Sequence, residues 1–335
     1  MTEAATGSGP TNQPGDADAP IDAMEQLDRM TREEVDDLPY GFIVLDRDGT
    51  ILLYNRYEER MSRLPADRVL GKSFFRDIAP CTRVEAFLGR FQALANAPPG
   101  HTDRFAFRFH FLHGAQDVLV HFCRAPAERV FMTVHRRPIA HGEDWDRLAT
   151  LHHEPDRGRL TGPLGTSLPL GEEQTAAVLL RLGAAGAREL GRSLGRGVAR
   201  AAAAAGHRAG EPRLEQAPRL LAVGLVDEAL SRCGLGRIAV DLTQAPERLL
   251  CFVRPSLDAA LLEFASLYEG ILETALSASL GVPYAARCVE GRALESRPWR
   301  LALVRTSEAE ALEPEGGEQP DDVLRRLGLA IAPPG

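Results

Sequence analysis

The sequence predicts an α+β chain: a five-stranded antiparallel sheet with flanking helices on one side, then a second unit of helices and two hairpins. Three observations lead there. Phe105, Phe107, Phe109 and Phe111 alternate with other residues, the period of a strand that buries one face. Two β-rich runs, Gly41 to Leu45 and Thr50 to Tyr54, flank Asp46-Arg47-Asp48-Gly49, whose Asp-Gly pair favours a hairpin turn. Residues 139–170 then turn to His, Gly, Pro and charge without a sustained period, which divides the chain.

The bulk properties fit this division. A length of 335 residues suits two domains, and 44% hydrophobic residues suffice for packed cores. A net charge of −8 argues against general binding to nucleic acid or an anionic membrane. Lys72 is the one lysine among 39 basic residues. Cys81, Cys123, Cys233, Cys251 and Cys288 are odd in number and lack paired spacing, so a reduced, cytoplasmic compartment is expected. No signal peptide is read at the N-terminus, and no apolar run approaches bilayer length.

Taken in order, residues 1–20 read as a disordered leader. Met24, Leu27 and Met30 give Ile21 to Val35 a weak helical face. After the first two strands, Arg56 to Arg63 should be a short helix, broken by Pro65-Ala66-Asp67. Val84, Phe87, Leu88 and Phe91 place Arg83 to Ala95 in another helix, stopped at Pro98-Pro99-Gly100. Strands follow at Phe105 to Phe111, Val118 to Cys123 and Val130 to His135, completing a domain over 21–138. Residues 139–170 read as a linker. Its His141, His152 and His153 lack the Cys or carboxylate partners of a metal site.

The second domain is expected over 171–306. Glu172 to Ala205 is helical, and its glycines predict a break or a close helix contact, since each costs roughly 1 kcal/mol relative to Ala inside a helix. Arg181, Arg188, Arg192, Arg196 and Arg200 form one stripe, read as a solvated face, with an acidic partner surface as the alternative. Pro218 to Ser231 is a second helix. Strands Arg237 to Leu242 and Leu249 to Val253 precede a helix capped by Ser256. Its apolar stripe runs through Leu257, Leu261, Phe264, Tyr268, Ile271, Leu272, Ala275 and Leu276. Val282 to Val289 and Trp299 to Val304 close the domain, and 307–335 reads as a flexible acidic tail.

The chemistry gathers around Ile78-Ala79-Pro80-Cys81-Thr82. Pro80 fixes its own φ and biases Ala79 to extended backbone, giving the Cys81 thiol a defined base. Upstream lie Phe74 and Phe75, able to wall a pocket, then Tyr54 and Glu58 four residues apart, then Ser62. A thiol, a phenol, a carboxylic acid and a hydroxyl are thus grouped in one stretch.

GFIVLDRDGTILLYN, Glu58 and RVLGKSFFRDIAPCT together resemble photoactive yellow protein, a blue-light receptor family of the PAS class. The resemblance covers roughly the first 138 residues. It implies p-coumaric acid carried on Cys81 as a 4-hydroxycinnamyl thioester, with Tyr54 and Glu58 hydrogen-bonding its phenolate and Ser62 supporting Tyr54. Leu64 stands where the family has Arg, and His113 where it has Met. Phe74, Pro80, Thr82, Phe109 and Phe111 complete the expected chromophore surroundings. The family's N-terminal helical cap detaches on signalling. Residues 171–306 resemble the 4-vinyl reductase domain through Ser266-Leu267-Tyr268-Glu269-Gly270-Ile271-Leu272, Gly281-Val282 and Arg287-Cys288. Of the three cysteines found in many of its members only Cys288 is matched, so a small apolar ligand is implied and a metal is not.

The photoreceptor reading therefore expects proton transfer from Glu58, loosening of the PAS domain, and an unidentified protein signalling partner, with a homodimer left open. The competing reading is an apo PAS sensor or dimerisation module with a buried structural thiol at Cys81. An enzyme reading would need a base adjacent to Cys81, and the nearby histidines in sequence lie on strands or in the linker. No Gly-rich dinucleotide fingerprint follows a strand in the second domain.

Overall fold

A computed structural model describes residues 29–136, 152–154, 159–162, 165–167, 172–255, 262–290, 298–315 and 318–329. The leader, Met24 and Leu27, His141, the Ser256 cap, Leu257 and Leu261 lie outside the described residues.

Among the described residues, helix α1 (Arg32–Asp36) is opened by a capping box between Thr31 and Glu34. Strands β1 (Gly41–Asp46) and β2 (Ile51–Tyr54) form a hairpin. At its turn Asp46 Oδ1 accepts from the amides of Asp48 and Thr50, while Gly49 takes φ +81°. Helices α2 (Arg56–Ser62) and α3 (Ala66–Val69) follow. A π-helical turn at Phe74–Ile78 and a 3-10 turn at Pro80–Thr82 carry the motif. The helix expected from Arg83 is shorter: Arg83 and Val84 stay outside, a π-helical turn spans Glu85–Gly89, and α4 is Arg90–Ala95. Ala79 sits at φ −125°, ψ 63°, short of the extended backbone expected before Pro80, because its amide is tied to Phe74 O.

Strands β3 (Thr102–Phe111), β4 (Gly114–Ala125) and β5 (Arg129–Arg136) complete an antiparallel sheet of order β2-β1-β5-β4-β3. Alternation decides what each face buries. Ile43, Leu45, Phe105, Phe107, Phe109, Val120, Phe122 and Met132 face the helices. Phe87 lies among six phenylalanine rings there at 4.8–6.2 Å between centroids. On the other face Phe42, Val44 and Phe131 pack beneath Val35 of α1.

Within the segment expected as a linker, β6 (His152–Glu154), β7 (Arg159–Gly162) and β8 (Gly165–Ser167) pair as a three-stranded antiparallel sheet. Strands of three or four residues are too short to print a period on the sequence.

The second domain opens with α5 (Glu172–Arg208), interrupted at Gly183 (φ 63°, ψ 177°), and α6 (Arg219–Arg232). Strands β9 (Arg237–Asp241) and β10 (Arg248–Arg254) lead to α7 (Leu262–Leu280). Strands β11 (Tyr284–Glu290) and β12 (Trp299–Arg305) close a sheet of order β11-β12-β10-β9. Both expectations for the α5 glycines are met: Gly183 breaks the helix, and Gly191 and Gly195 admit α7. A Cβ on Gly191 would fall 2.1 Å from Leu267 O, and one on Gly270 2.1 Å from Arg188 O. This contact replaces the solvated face at Arg188 and Arg192, while Arg181, Arg196 and Arg200 are exposed as expected. Arg188 bonds Glu269 at 3.0 Å and Glu273 at 2.8 Å, and Arg192 bonds Glu273 at 3.0 Å. The apolar stripe of α7 is buried against Leu249, Cys251, Val253, Leu301 and Leu303.

The expected acidic tail is also different. Thr306–Leu312 forms a 3-10 turn and α8 spans Pro320–Arg326. Leu312, Val323, Leu324, Leu327 and Leu329 cover Leu250, Phe252, Ala302 and Val304 on the sheet's outer face. Those outward apolar residues alternate with the inner set, so a sheet hydrophobic on both faces needs a second cover. Among the described residues no helix is long and apolar enough to cross a membrane.

Candidate functional site

The site is built from the start of α2 outward. Asn55 caps that helix and was missed in the sequence, although Asn before a helical run is a standard N-cap signal. Its Oδ1 accepts from Phe42 N at 3.0 Å and Glu58 N at 3.2 Å. Its Nδ2 donates to Val35 O at 3.1 Å and Tyr40 O at 3.0 Å. One side chain thereby ties the N-terminal helix, β1 and the first turn of α2 together.

Tyr54 and Glu58 then face the protein interior. The Tyr54 hydroxyl donates to Ser62 Oγ at 2.8 Å, and Ser62 Oγ donates to Glu58 O at 2.8 Å. Glu58 is 3% exposed, and its Oε1 has no hydrogen-bond partner. Burial pushes its carboxyl up to about 8, so the acid is protonated at neutral pH. Burial, reinforced by the nearby Glu58, also raises the Tyr54 phenol and keeps it a donor. Gly41 makes room for the acid: a Cβ there would sit 1.8 Å from Glu58 Oε1.

Cys81 is 3% exposed on the 3-10 turn, and its thiol donates to His110 O at 3.7 Å. Burial raises that thiol to about 11. Thr82 Oγ1 closes the turn on Ala79 O at 2.6 Å. Tyr54, Phe74, Cys81 and Phe109 belong to one core, with Leu64 and Phe111 packed on it and Pro80 buried beside the thiol. His113 lies further out, stacked on Phe111 at 5.3 Å and 13°, while its backbone bridges Asp241 of the second domain. Burial lowers the His113 pKa, with the charge of Arg63 adding to it. Arg63 itself takes a left-handed φ of 61° at the end of α2. Thus an arginine next to Leu64 acts on His113.

The chemistry of this donor set fits a buried phenolate-bearing group: a thiol to attach it, a phenol and a neutral acid to donate, and an acid oxygen left without a partner.

Residues 29–118 match the family model of the PAS fold. The photoactive yellow protein of Rhodothalassium salexigens is 46% identical over 94 residues, 28% of this chain and 73% of that protein. This chain belongs to the photoactive yellow protein family. The photoactive yellow protein of Halochromatium salexigens is 34% identical over 105 residues, 31% of this chain and 82% of its own length. Among solved structures, the photoactive yellow protein domain of the sensor histidine kinase Ppr from Rhodospirillum centenum is 35% identical. It covers 33% of this chain and 98% of that domain, with a TM-score of 0.32. A photoactive yellow protein domain is therefore joined here to a second sheet-and-helix domain.

The five cysteines are free. Among the described residues no group of three His, Cys, Asp or Glu could hold a metal ion. His110, read in the sequence only as a strand residue, proves to be the neighbour of Cys81; contact across 29 residues leaves no local trace.

Proposed function

We propose that the chain is a blue-light receptor in which Cys81 carries a p-coumaroyl group as a thioester. The observation that carries this reading is Glu58: a buried, protonated acid with Oε1 unpartnered, in the same short stretch as a buried Tyr54. Cys81 would hold the group, Tyr54 and Glu58 would donate to its phenolate oxygen, and Ser62 would orient Tyr54. Leu64, Phe74, Pro80, Thr82, Phe109, Phe111 and His113 would shape its surroundings. When bound, the group supplies a light-absorbing double bond and a phenolate whose place depends on the isomer.

Everything else is done by the chain. Tyr54 keeps its proton and sets the strength of the donor field. Glu58 holds a proton on its carboxyl at neutral pH and would pass it to the phenolate oxygen to which it donates, with His113 the next candidate donor. Once released, it leaves a carboxylate that is 3% exposed. An unpaired buried charge is costly, so the packing around α2 loosens. Glu58 N is bound to Asn55, which also holds Val35 O, so a shift of α2 pulls on the N-terminal helix.

The second domain is proposed as a 4-vinyl reductase-like unit, an interaction or ligand-binding module. Support is its order of two helices, hairpin, helix, hairpin. The test of the receptor reading is spectroscopic. Full chain made with a p-coumaroyl donor should be coloured, bleach in blue light and recover in the dark. Chain made without the donor, and Cys81→Ala with it, should be colourless. A coloured Cys81→Ala protein with covalent pigment would sink the reading.

A further inference from the structure

Strand β3 is the edge of the first sheet, and the second domain covers that edge beside Cys81. Gly224 on α6 brings bare backbone to the thiol. A Cβ there would lie 3.6 Å from Cys81 Cβ and 3.3 Å from His110 Cδ2. One turn later Asp227, 1% exposed, gathers charge from both domains. It takes Arg237 Nη2 at 2.6 Å and Ile238 N at 2.7 Å from its own domain. From β3 it meets His110 Nε2 at 3.5 Å and Arg108 Nε at 3.7 Å.

His110 joins the two sides. Its carbonyl accepts the thiol of unacylated Cys81, a proton that a thioester lacks, so in the pigmented chain the link is packing: Cys81 and His110 both lie under Gly224, and the His110 ring meets Asp227. Burial, with Arg108 and Arg237 adding to it, keeps this imidazole neutral against the pull of Asp227. Its buried Nδ1 has no partner, so the ring is held from one side only. Two further contacts fix the docking. Arg83, two residues after Cys81, pairs with Glu211 at 2.5 Å, and Leu242 N donates to Leu112 O at 2.7 Å. A cleft between the domains opens onto Cys81, Phe107, His110, Gly224 and Asp227.

We propose that the second domain is the receiver of events at Cys81, docked on β3 through Gly224 and Asp227 and released when His110 moves. The inference rests on the photoreceptor reading of Cys81. The physical reason is asymmetry. Asp227 keeps Arg237 and Ile238 N whichever way β3 goes, so α6 stays folded after release. The bonds to His110 and Arg108 exist only when docked. A displacement of Cys81 and His110 where they pack under Gly224 therefore weakens the interface without unfolding either side.

Hydrogen exchange on the full chain tests this, read in peptides from 105–113 and 219–232, with 41–54 as control. Without pigment, Asp227→Asn should speed exchange in both interface peptides by about fivefold or more and leave the control unchanged. In pigmented protein, blue light should do the same to the wild type and add little to Asp227→Asn. Gly224→Val keeps every charge and carries the same test by bulk, should Asp227→Asn fail to fold. Pigment that bleaches while 219–232 exchanges as in the dark overturns this inference and leaves the receptor reading standing. Unchanged interface exchange in both variants also overturns it. A chain that takes no pigment on Cys81 overturns both.

Discussion

Replacing Glu58 by Gln should remove a pH dependence of stability that the buried acid imposes. In the fold its pKa is about 8, against 4.5 for an ordinary glutamate. The sign follows from which state holds the proton. Below pH 4.5 both folded and unfolded chains carry it, and the acid costs nothing extra. Between 4.5 and 8 the unfolded chain has released it and the folded chain has not, so stability falls as pH rises, by about 1.4 kcal/mol per unit. Above 8 the loss levels off. From pH 5.5 to 7.5 the wild type should therefore lose about 2–3 kcal/mol that Glu58→Gln does not. Urea dependence of hydrogen exchange in β4 and β5, measured on chain made without the p-coumaroyl donor, reads this directly. Parallel curves for the two proteins would refute a protonated Glu58 and with it the assignment of the proton source.

Three other substitutions test the packing that supports the site. Gly41→Ala should cost about 1–3 kcal/mol in urea unfolding of the first domain, because its Cβ takes the place of Glu58 Oε1; an unaffected protein would mean the acid lies elsewhere. Gly270→Ala should cost more than about 3 kcal/mol, since its Cβ meets backbone oxygen rather than a yielding side chain; a two-state melt at the wild-type temperature would contradict the α5–α7 contact. Leu324→Ala should cost about 2–4 kcal/mol and raise exchange in β10 and β12, as expected when a fully buried side chain leaves a cavity.

How far the sequence speaks for itself varies with the range of the contact. The alternating phenylalanines and the Asp-Gly turn are local, and they placed β1, β2 and most of β3, while β4, read as Val118 to Cys123, runs over Gly114–Ala125. Tyr54 and Glu58 share a helical start, so their spacing alone suggested a common direction. Asn55 has a local signal, but its ties to Val35 and Tyr40 come from tertiary packing. Gly41 looks like an ordinary strand residue until Glu58 is seen in the space it leaves. Arg188 and Arg192 lie on a stripe that reads as solvated because their partners Glu269 and Glu273 are some 80 residues away. The tail reads as acidic and Pro-rich by composition, while its five leucines and valines are spread too thinly to reveal the sheet they cover. The docking of α6 on Cys81 has the same character: Gly224 and Asp227 carry no sign of their partners in the linear chain.

The most direct test of the central claim is peptide mass spectrometry of the full chain after exposure to an activated p-coumaroyl donor. Five free cysteines compete, and four of them, Cys123, Cys233, Cys251 and Cys288, serve as internal controls. The account predicts one p-coumaroyl adduct, confined to the peptide bearing Cys81 and released by hydroxylamine. An adduct on another cysteine with Cys81 unmodified, or no adduct at all, would contradict it.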